Sequence, residues 1–156
     1  MTSRRSRGDE RSDVRAEPSA LTGSSGFLLA RLGTESRRRF AHLLELHGLT
    51  LHHFAVLLAL AETDGLPQQK LSTLVGVDPR NAVPIIDDLE ASRFIVREMD
   101  AADRRRYKVA LTSQGRREMR ALQSAGAKLE ETMLDPLTSA EREQLQGLLT
   151  KLFRAL

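Results

Sequence analysis

The residues best suited to chemistry in this chain lie in one short basic stretch, between two runs of strand-forming residues at 94–98 and 107–111. The stretch carries four neighbouring charged side chains: Asp103, Arg104, Arg105 and Arg106. Guanidinium groups at the tip of a hairpin can contact DNA phosphates or enter a narrow minor groove, where the negative potential is strongest. The pattern therefore predicts a nucleic-acid contact. The alternative is a solvated charged turn of the kind found on many protein surfaces.

Immediately before this hairpin, the spacing of apolar residues predicts a short helix and then a break. Leu71, Leu74 and Val75 are three and four residues apart, which places them on one helical face. Gly76 follows directly, and glycine is a common residue at the point where a helix ends. The sequence therefore predicts that the helix ends here.

A second helix is predicted from Pro79, with the side chain of Asp78 as its N-cap. Proline suits the first position of a helix because its missing N–H would have no partner there. Five apolar residues are expected to form the buried side of this helix: Ala82, Val83, Ile85, Ile86 and Leu89. Two short helices joined by a glycine-containing turn and followed by a basic hairpin predict a winged helix-turn-helix.

Four segments of the chain resemble the MarR family of regulators: Leu71–Asp78, Ile86–Glu90, Asp100–Arg106 and Leu111–Gly115. The resemblance covers about residues 26–156. It implies a mainly α fold with a small β-hairpin wing (α+β), in which long N- and C-terminal dimerisation helices flank the winged helix-turn-helix. It also implies a homodimeric regulator that binds double-stranded DNA at a pseudo-palindromic operator, usually a repressor that a small molecule releases.

The resemblance also assigns roles to the charged tip of the hairpin. Arg105 matches the wing arginine that enters the minor groove, and Asp103, two residues earlier, would orient it by an ion pair. Arg104 and Arg106 would contact phosphates. The alternative is that these arginines only make the tip soluble.

Base contacts are expected at the start of the second helix, from Arg80, Asn81 and Pro84, next to Pro79. Arg can pair with both guanine acceptors and Asn with adenine. Pro84 departs from the family pattern, which often has a basic or hydroxyl residue there, and it removes one helical hydrogen bond. The rest of this helix is acidic and is expected to face protein or solvent: Asp87, Asp88 and Glu90. Pro84 and these acids support a rival interpretation, a winged-helix protein-interaction module without specific DNA binding.

The remaining patterns predict the domain organisation. Residues 1–25 mix Arg, Ser, Asp and Glu without a hydrophobic period and are expected to be a disordered tail. Residues 26–156 are expected to form one MarR-like domain, with the DNA-binding part at about 50–112. Amphipathic helices at 26–48 and 113–156 are expected to dimerise. The last of them has an apolar stripe: Leu145, Leu148, Leu149, Leu152 and Leu156.

Several classes of protein are disfavoured by what the sequence lacks. The chain has no cysteine, and we find no phosphate-binding loop or catalytic constellation in it, so we expect neither an enzyme nor a thiol switch. No run approaches the roughly twenty apolar residues of a membrane span, so a cytoplasmic protein is expected. We expect no metal or cofactor, because the four histidines lack the spacing of a metal site: His42, His47, His52 and His53.

A small-molecule effector, by analogy with the family, would bind between the dimerisation helices and the winged domain. The candidates for such a site lie on the first two helices: Arg38, Phe40, His42, His53 and Phe54. Stripes at helical spacing are also typical of an ordinary core, so both interpretations remain open at this stage.

Overall fold

The structure is a computed structural model that describes residues 23–99 and 107–156. The chain divides into two compact units after Glu35. The described part of the first unit, residues 23–35, is the start of a long helix and exposes Leu28, Leu29 and Leu32. The predicted tail at 1–25 lies almost wholly outside the described residues.

The described residues form six helices and two strands, in the order α1, α2, α3, α4, β1, β2, α5, α6. Their bounds are Ser25–Leu46 (α1), Leu51–Ala61 (α2), Gln68–Leu74 (α3), Pro79–Ala91 (α4), Ile95–Met99 (β1), Tyr107–Leu111 (β2), Ser113–Met133 (α5) and Ser139–Phe153 (α6). The mainly helical fold with a β-hairpin is therefore confirmed. Within the described part of the chain, no single helix is long and apolar enough to cross a membrane, and only the bent pair of α1 and α2 reaches that limit together.

Local capping determines where several helices begin. Asp78 accepts a hydrogen bond from the backbone N–H of Arg80 at 2.8 Å, so the predicted cap of α4 is confirmed. Thr138 and Glu141 form a capping box at the start of α6. Pro67 is the N-cap residue of α3, without a side-chain capping hydrogen bond.

The wing is built on an antiparallel pair in which Ile95 faces Leu111 and Met99 faces Tyr107. Strand β1 begins one residue later than predicted, because the backbone N–H of Phe94 donates to the carbonyl of Leu89 at the end of α4. Leu66 adds a third partner to this sheet through reciprocal backbone hydrogen bonds with Val109 of 2.9 and 2.8 Å.

The junction between β2 and α5 explains the residue types of the Leu111–Gly115 segment, in which threonine and glycine are three residues apart. The Thr112 hydroxyl accepts from the N–H of Gly115 at 3.0 Å and donates to the carbonyl of Arg93 at 2.7 Å. A Cβ at Gly115 would lie 2.0 Å from the carbonyl oxygen of Phe94, so only glycine fits. The motif therefore docks the first turn of α5 against the chain that enters the wing.

The core lies among α2, α3, α4, the hairpin and the first half of α5, with one contribution from the end of α1. Its most completely buried large side chains are Leu44, Leu57, Leu60, Leu71, Ile86, Leu89, Ile95 and Leu122. Val83 was predicted to be buried with Ile86 and Leu89, and that prediction is wrong, because Val83 is 41% exposed. The neighbouring elements therefore bury only some of the apolar residues of α4: Ala82, Ile86 and Leu89.

The last helix differs from this core in that no residue of Ser139–Phe153 is buried. Four large apolar side chains of α6 are exposed: Leu148, Leu149, Leu152 and Phe153. Five residues of α5 repeat at a spacing of three and four residues. Of these, Met119 and Leu122 are buried, and Gly126, Leu129 and Met133 are only partly buried. The C-terminal part of the chain therefore leaves apolar surface uncovered.

Candidate DNA-binding surface

The first two turns of α4 present an exposed and uncharged or basic surface. Arg80, Asn81 and Pro84 are exposed, and Ala82 is the buried residue of this stretch. The structure therefore brings the three predicted base-contacting residues to one end of a single helix. The free N–H groups and the dipole at a helix N-terminus also favour an anion such as a phosphate there.

Pro84 lies inside α4, yet the helix continues to Ala91. Proline has no N–H to donate to the carbonyl of Arg80, one turn earlier, so this carbonyl lacks its normal intrahelical partner. The departure from the family pattern thus costs one backbone hydrogen bond but does not end the helix.

The acidic second half of α4 is held against the wing by one arginine. Arg97 on β1 places Nη2 2.5 Å from Oδ1 of Asp87, and its Nη1 contacts Oε2 of Glu90. The backbone N–H of Arg97 also donates to Oε1 of Glu90 at 3.2 Å. The side-chain hydrogen bond to Asp87 contributes most to raising the pKa of Arg97 above its ordinary value. The charge and side-chain hydrogen bond of Glu90 act in the same direction, and partial burial opposes them. Asp87 and Glu90 are therefore bound within the chain, and Arg97 balances one of their two negative charges.

The third acid, Asp88, lies beside a buried histidine of α2. Its Oδ2 is 3.7 Å from Nε2 of His53, while Nδ1 of His53 accepts the backbone N–H of Thr50 at 3.1 Å. His53 completes a capping box with Thr50 at the start of α2. Burial lowers the pKa of His53, and the nearby charge of Asp88 opposes this shift.

The hairpin that carries the wing tip is attached to the body through Lys108 of β2. Nζ of Lys108 donates to the carbonyl of Asp64 at 2.9 Å and lies 3.4 Å from a carboxylate oxygen of Glu98. Gly65, with φ +121°, allows this close approach, because a Cβ there would meet Lys108 at 2.9 Å. The predicted contacts at the tip lie outside the described residues: Asp103, Arg104, Arg105 and Arg106.

The candidate effector residues are only partly brought together. The rings of Phe40 and Phe54 form an edge-to-face pair with centroids 4.9 Å apart and an interplanar angle of 78°. His42 is exposed and lies 3.6 Å from Glu45 of its own helix. Arg38 is also exposed. The aromatic pair packs against the core, so these two rings contribute to it.

A pocket of about 280 Å³ lies between the start of α2 and the end of α4. Its lining consists of Gly48, Leu49, His53, Asp88, Leu89, Ala91 and Ser92. His53 is the one effector candidate that lines it. Among residues 23–99 and 107–156, no group of three or more His, Asp or Glu side chains could hold a metal ion. His47 contacts a single carboxylate, with its Nδ1 2.6 Å from Oε1 of Glu118.

Comparison with known proteins matches this geometry to a family. A model of the MarR family matches residues 47–106. A putative transcriptional regulatory protein for the hcr operon of Thauera aromatica is 31% identical over 136 residues, which are 86% of this chain and 82% of that protein. The chain belongs to the MarR family.

Solved structures of MarR-like regulators share the fold. CouR from Rhodococcus jostii RHA1, bound to p-coumaroyl-CoA, has a TM-score of 0.65 and 27% identity, over 86% of this chain and 94% of that one. A Staphylococcus aureus MepR mutant bound to an oligodeoxyribonucleotide has a TM-score of 0.66 and 25% identity, over 85% of this chain and 97% of that one. The relatives are regulators of transcription, a family that is not enzymatic.

Two functional contacts of this MarR chain were missed by sequence reasoning. Arg97 was not singled out, although the alternation of a strand places it on the same face as the apolar Ile95 and Met99, where an unpaired charge would be unusual. His53 was considered only as an effector or metal residue, although it stands three residues after Thr50, at the spacing of a capping box. The partners of Arg97 lie on another element, which a linear pattern does not identify, whereas the partner of His53 is three residues away and its spacing could have been recognised.

Proposed function

We propose that this chain is a cytoplasmic, homodimeric repressor that reads a pseudo-palindromic operator with α4 and the wing and is released by a small molecule. The observation that carries the proposal is the asymmetry of α4. Its first half exposes Arg80 and Asn81. In its second half, Asp87 and Glu90 are bound to Arg97, and Asp88 lies 3.7 Å from His53. A recognition helix that offers a basic N-terminal end suits the major groove, where that end contacts base edges.

The same contacts weaken the rival interpretation of a protein-interaction module. That interpretation depended on the acidic segment of α4, which would repel phosphates if it were free. Because Asp87 and Glu90 share Arg97, one of their two negative charges is balanced within the chain, which reduces the acidic surface that α4 presents. The departure at Pro84 changes which base is read, since its side chain can only make apolar contacts.

The proposed dimer would cover the exposed apolar side chains of α6. Leu148 and Leu152 are 55% and 57% exposed, and a row of exposed leucines is a normal sign of an interface. A two-fold dimer also places two recognition helices about one turn of DNA apart, which suits a pseudo-palindromic site.

Substituting Leu148→Glu together with Leu152→Glu should therefore convert the dimer to a monomer in sedimentation experiments, because the interface would have to bury two carboxylates. Gly147→Glu is the control, since a Cβ added there meets nothing within 4 Å. A double variant that still sediments as a stable dimer would place the interface elsewhere.

The effector is proposed to be an aromatic compound that contacts the Phe40–Phe54 pair, with Arg38, His42 and His53 as candidate polar partners. Support comes from the edge-to-face pair itself, since a further ring can extend such packing. The related CouR binds an aromatic CoA ester, p-coumaroyl-CoA. Arg38 would be the candidate for an anionic group on the ligand.

The wing tip is proposed to place Arg105 in the minor groove, with Asp103 as its orienting partner and Arg104 and Arg106 on phosphates. Asp103→Ala should weaken operator binding although it removes a negative charge, because Arg105 would regain rotamer freedom. Simple electrostatics predicts the opposite sign. Tighter binding by Asp103→Ala at every salt concentration would mean that the wing acts only as a positive patch.

Selection of genomic fragments on the purified protein tests the proposed function as a whole. We expect enrichment of a pseudo-palindromic site that binds well below the roughly 10⁻⁴–10⁻⁶ M of non-specific contacts. Failure to enrich such a site would favour the protein-interaction module.

A further inference from the structure

One side chain connects the two parts of the DNA-binding surface. Arg97 lies on β1, in the wing, and its guanidinium bonds to Asp87 and Glu90 on α4. Its backbone N–H also donates to Glu90. Strand β1 is thereby held to the recognition helix by one guanidinium and one backbone group, with bonds to two carboxylates that are three residues apart on one helical face.

The position of Arg97 within the hairpin makes this connection stiff. Arg97 is paired with Val109 on β2, and Val109 in turn exchanges backbone hydrogen bonds with Leu66. Arg97 therefore lies at the middle of β1. The neighbouring strand, β2, is hydrogen-bonded on both of its sides, to β1 and to Leu66. The Arg97 side chain is only 28% exposed, so solvent screens these ion pairs less than those at a fully exposed site.

We propose that Arg97 is a positioning residue for DNA recognition, which fixes the wing relative to the recognition helix before DNA is bound. The inference rests on the proposed function, because it assumes that α4 and the wing contact the same operator. A planar guanidinium can bond to both carboxylates at once, which a lysine ammonium does less well. Fixing the two parts in advance removes an ordering cost that binding would otherwise have to overcome.

The bridge also has an electrostatic role that the test must separate from positioning. Asp87 and Glu90 carry two negative charges and Arg97 one positive charge, so the site as a whole is at −1. Arg97→Ala alone would leave −2 on the recognition helix and repel DNA for that reason. The combination of Arg97→Gln, Asp87→Asn and Glu90→Gln makes the site neutral, so charge alone predicts unchanged or tighter binding.

The test uses the full-length chain, the operator duplex enriched by the genomic selection, and an unrelated duplex of equal length. For the neutral triple variant we expect the ratio of operator to unrelated affinity to fall by about tenfold or more, as preorganisation is lost. Affinity for the unrelated duplex should stay the same or rise. Arg97→Lys should give a smaller fall, since it keeps the charge and bonds to fewer oxygens.

Amide hydrogen exchange of the protein without DNA supplies a second readout. In the triple variant, exchange should become faster in β1, in β2 and in the second half of α4, with no change in α5. Two controls on other elements should leave both readouts at the wild-type level: Arg120→Gln, an exposed arginine of α5, and Glu143→Gln, an exposed acid of α6.

Unchanged exchange together with an unchanged affinity ratio would overturn the proposal, because the bridge would then only balance charge. If the wild-type protein enriches no operator, the proposed function fails, and the exchange experiment alone decides whether Arg97 fixes the wing to α4. The two failures can therefore be told apart.

Discussion

The two halves of helix α4 have opposite relations to the rest of the molecule. From Pro79 to Pro84 the side chains are exposed except for Ala82, and the helix begins with a local cap at Asp78. From Ile85 to Ala91 the helix contributes Ile86 and Leu89 to the core, and its acids contact other elements.

The difference shows how one short helix can serve both stability and recognition. The second half is fixed on the core by apolar burial and on the wing by Arg97, so the first half can project polar and basic groups without needing them for packing. Substitutions in the two halves should therefore separate: those in the second half should lower stability, and those in the first half should lower DNA binding.

The largest expected effect is on stability, at the buried end of the helix. Leu89 is 1% exposed, and Leu89→Ala should lower the free energy of unfolding by about 2–5 kcal/mol through lost burial and a cavity. Val83 is 41% exposed, and Val83→Ala should change the free energy of unfolding by less than about 0.5 kcal/mol. Chemical denaturation measures both. Equal losses would mean that the two halves are packed alike.

The sequence predicted the features of α4 that depend on nearby residues. Asp78 and Pro79 were assigned correctly because a cap bonds the side chain to its own helix. The burial of Val83 was predicted wrongly, since a period of 3.6 gives the direction of an apolar stripe and not how much of it the neighbours cover.

Contacts between distant elements were beyond the reach of sequence patterns. Arg97 is seven and ten residues from Glu90 and Asp87, but only the turn of the chain into β1 brings them together. The backbone bridge between Leu66 and Val109 likewise depends on tertiary packing. The tip residues Asp103 and Arg105 stay predictions, because they lie outside the described residues.

A smaller effect is expected at the start of α4. Asp78→Ala removes the acceptor for the backbone N–H of Arg80 and should lower the free energy of unfolding by about 1 kcal/mol. Operator affinity should fall as well, because the first turn carries Arg80 and Asn81. Asp78→Asn is the matched variant, since asparagine caps a helix nearly as well, and it should retain both properties.

The smallest effect is a pH dependence at the contact between α2 and α4. Because burial lowers the pKa of His53 below its ordinary value of 6.5, the folded chain binds this proton less readily than the unfolded chain. The stability associated with neutral His53 is therefore complete above about pH 6.5 and is lost as the pH falls below that value.

Thermal unfolding between pH 7.5 and 5, as rough limits around the ordinary histidine pKa, measures this dependence against His53→Gln. The wild type should lose stability relative to this variant as the pH falls. Asp88→Asn should steepen the loss, since Asp88 is what opposes the lowering of the pKa. The prediction would be contradicted if the wild type gained stability relative to His53→Gln as the pH falls.

The most direct test of the central claim, that the exposed half of α4 reads bases, is the operator affinity of Arg80→Ala. We predict a loss of about 1–3 kcal/mol and weaker discrimination at one base pair per half-site, with the free energy of unfolding unchanged. Arg120→Ala, at an exposed position of α5, should keep wild-type binding. The claim would be contradicted if Arg80→Ala weakened binding equally for the operator, for operators with single base-pair substitutions and for unrelated DNA. A reduced salt dependence of binding would then show that Arg80 contacts only phosphates.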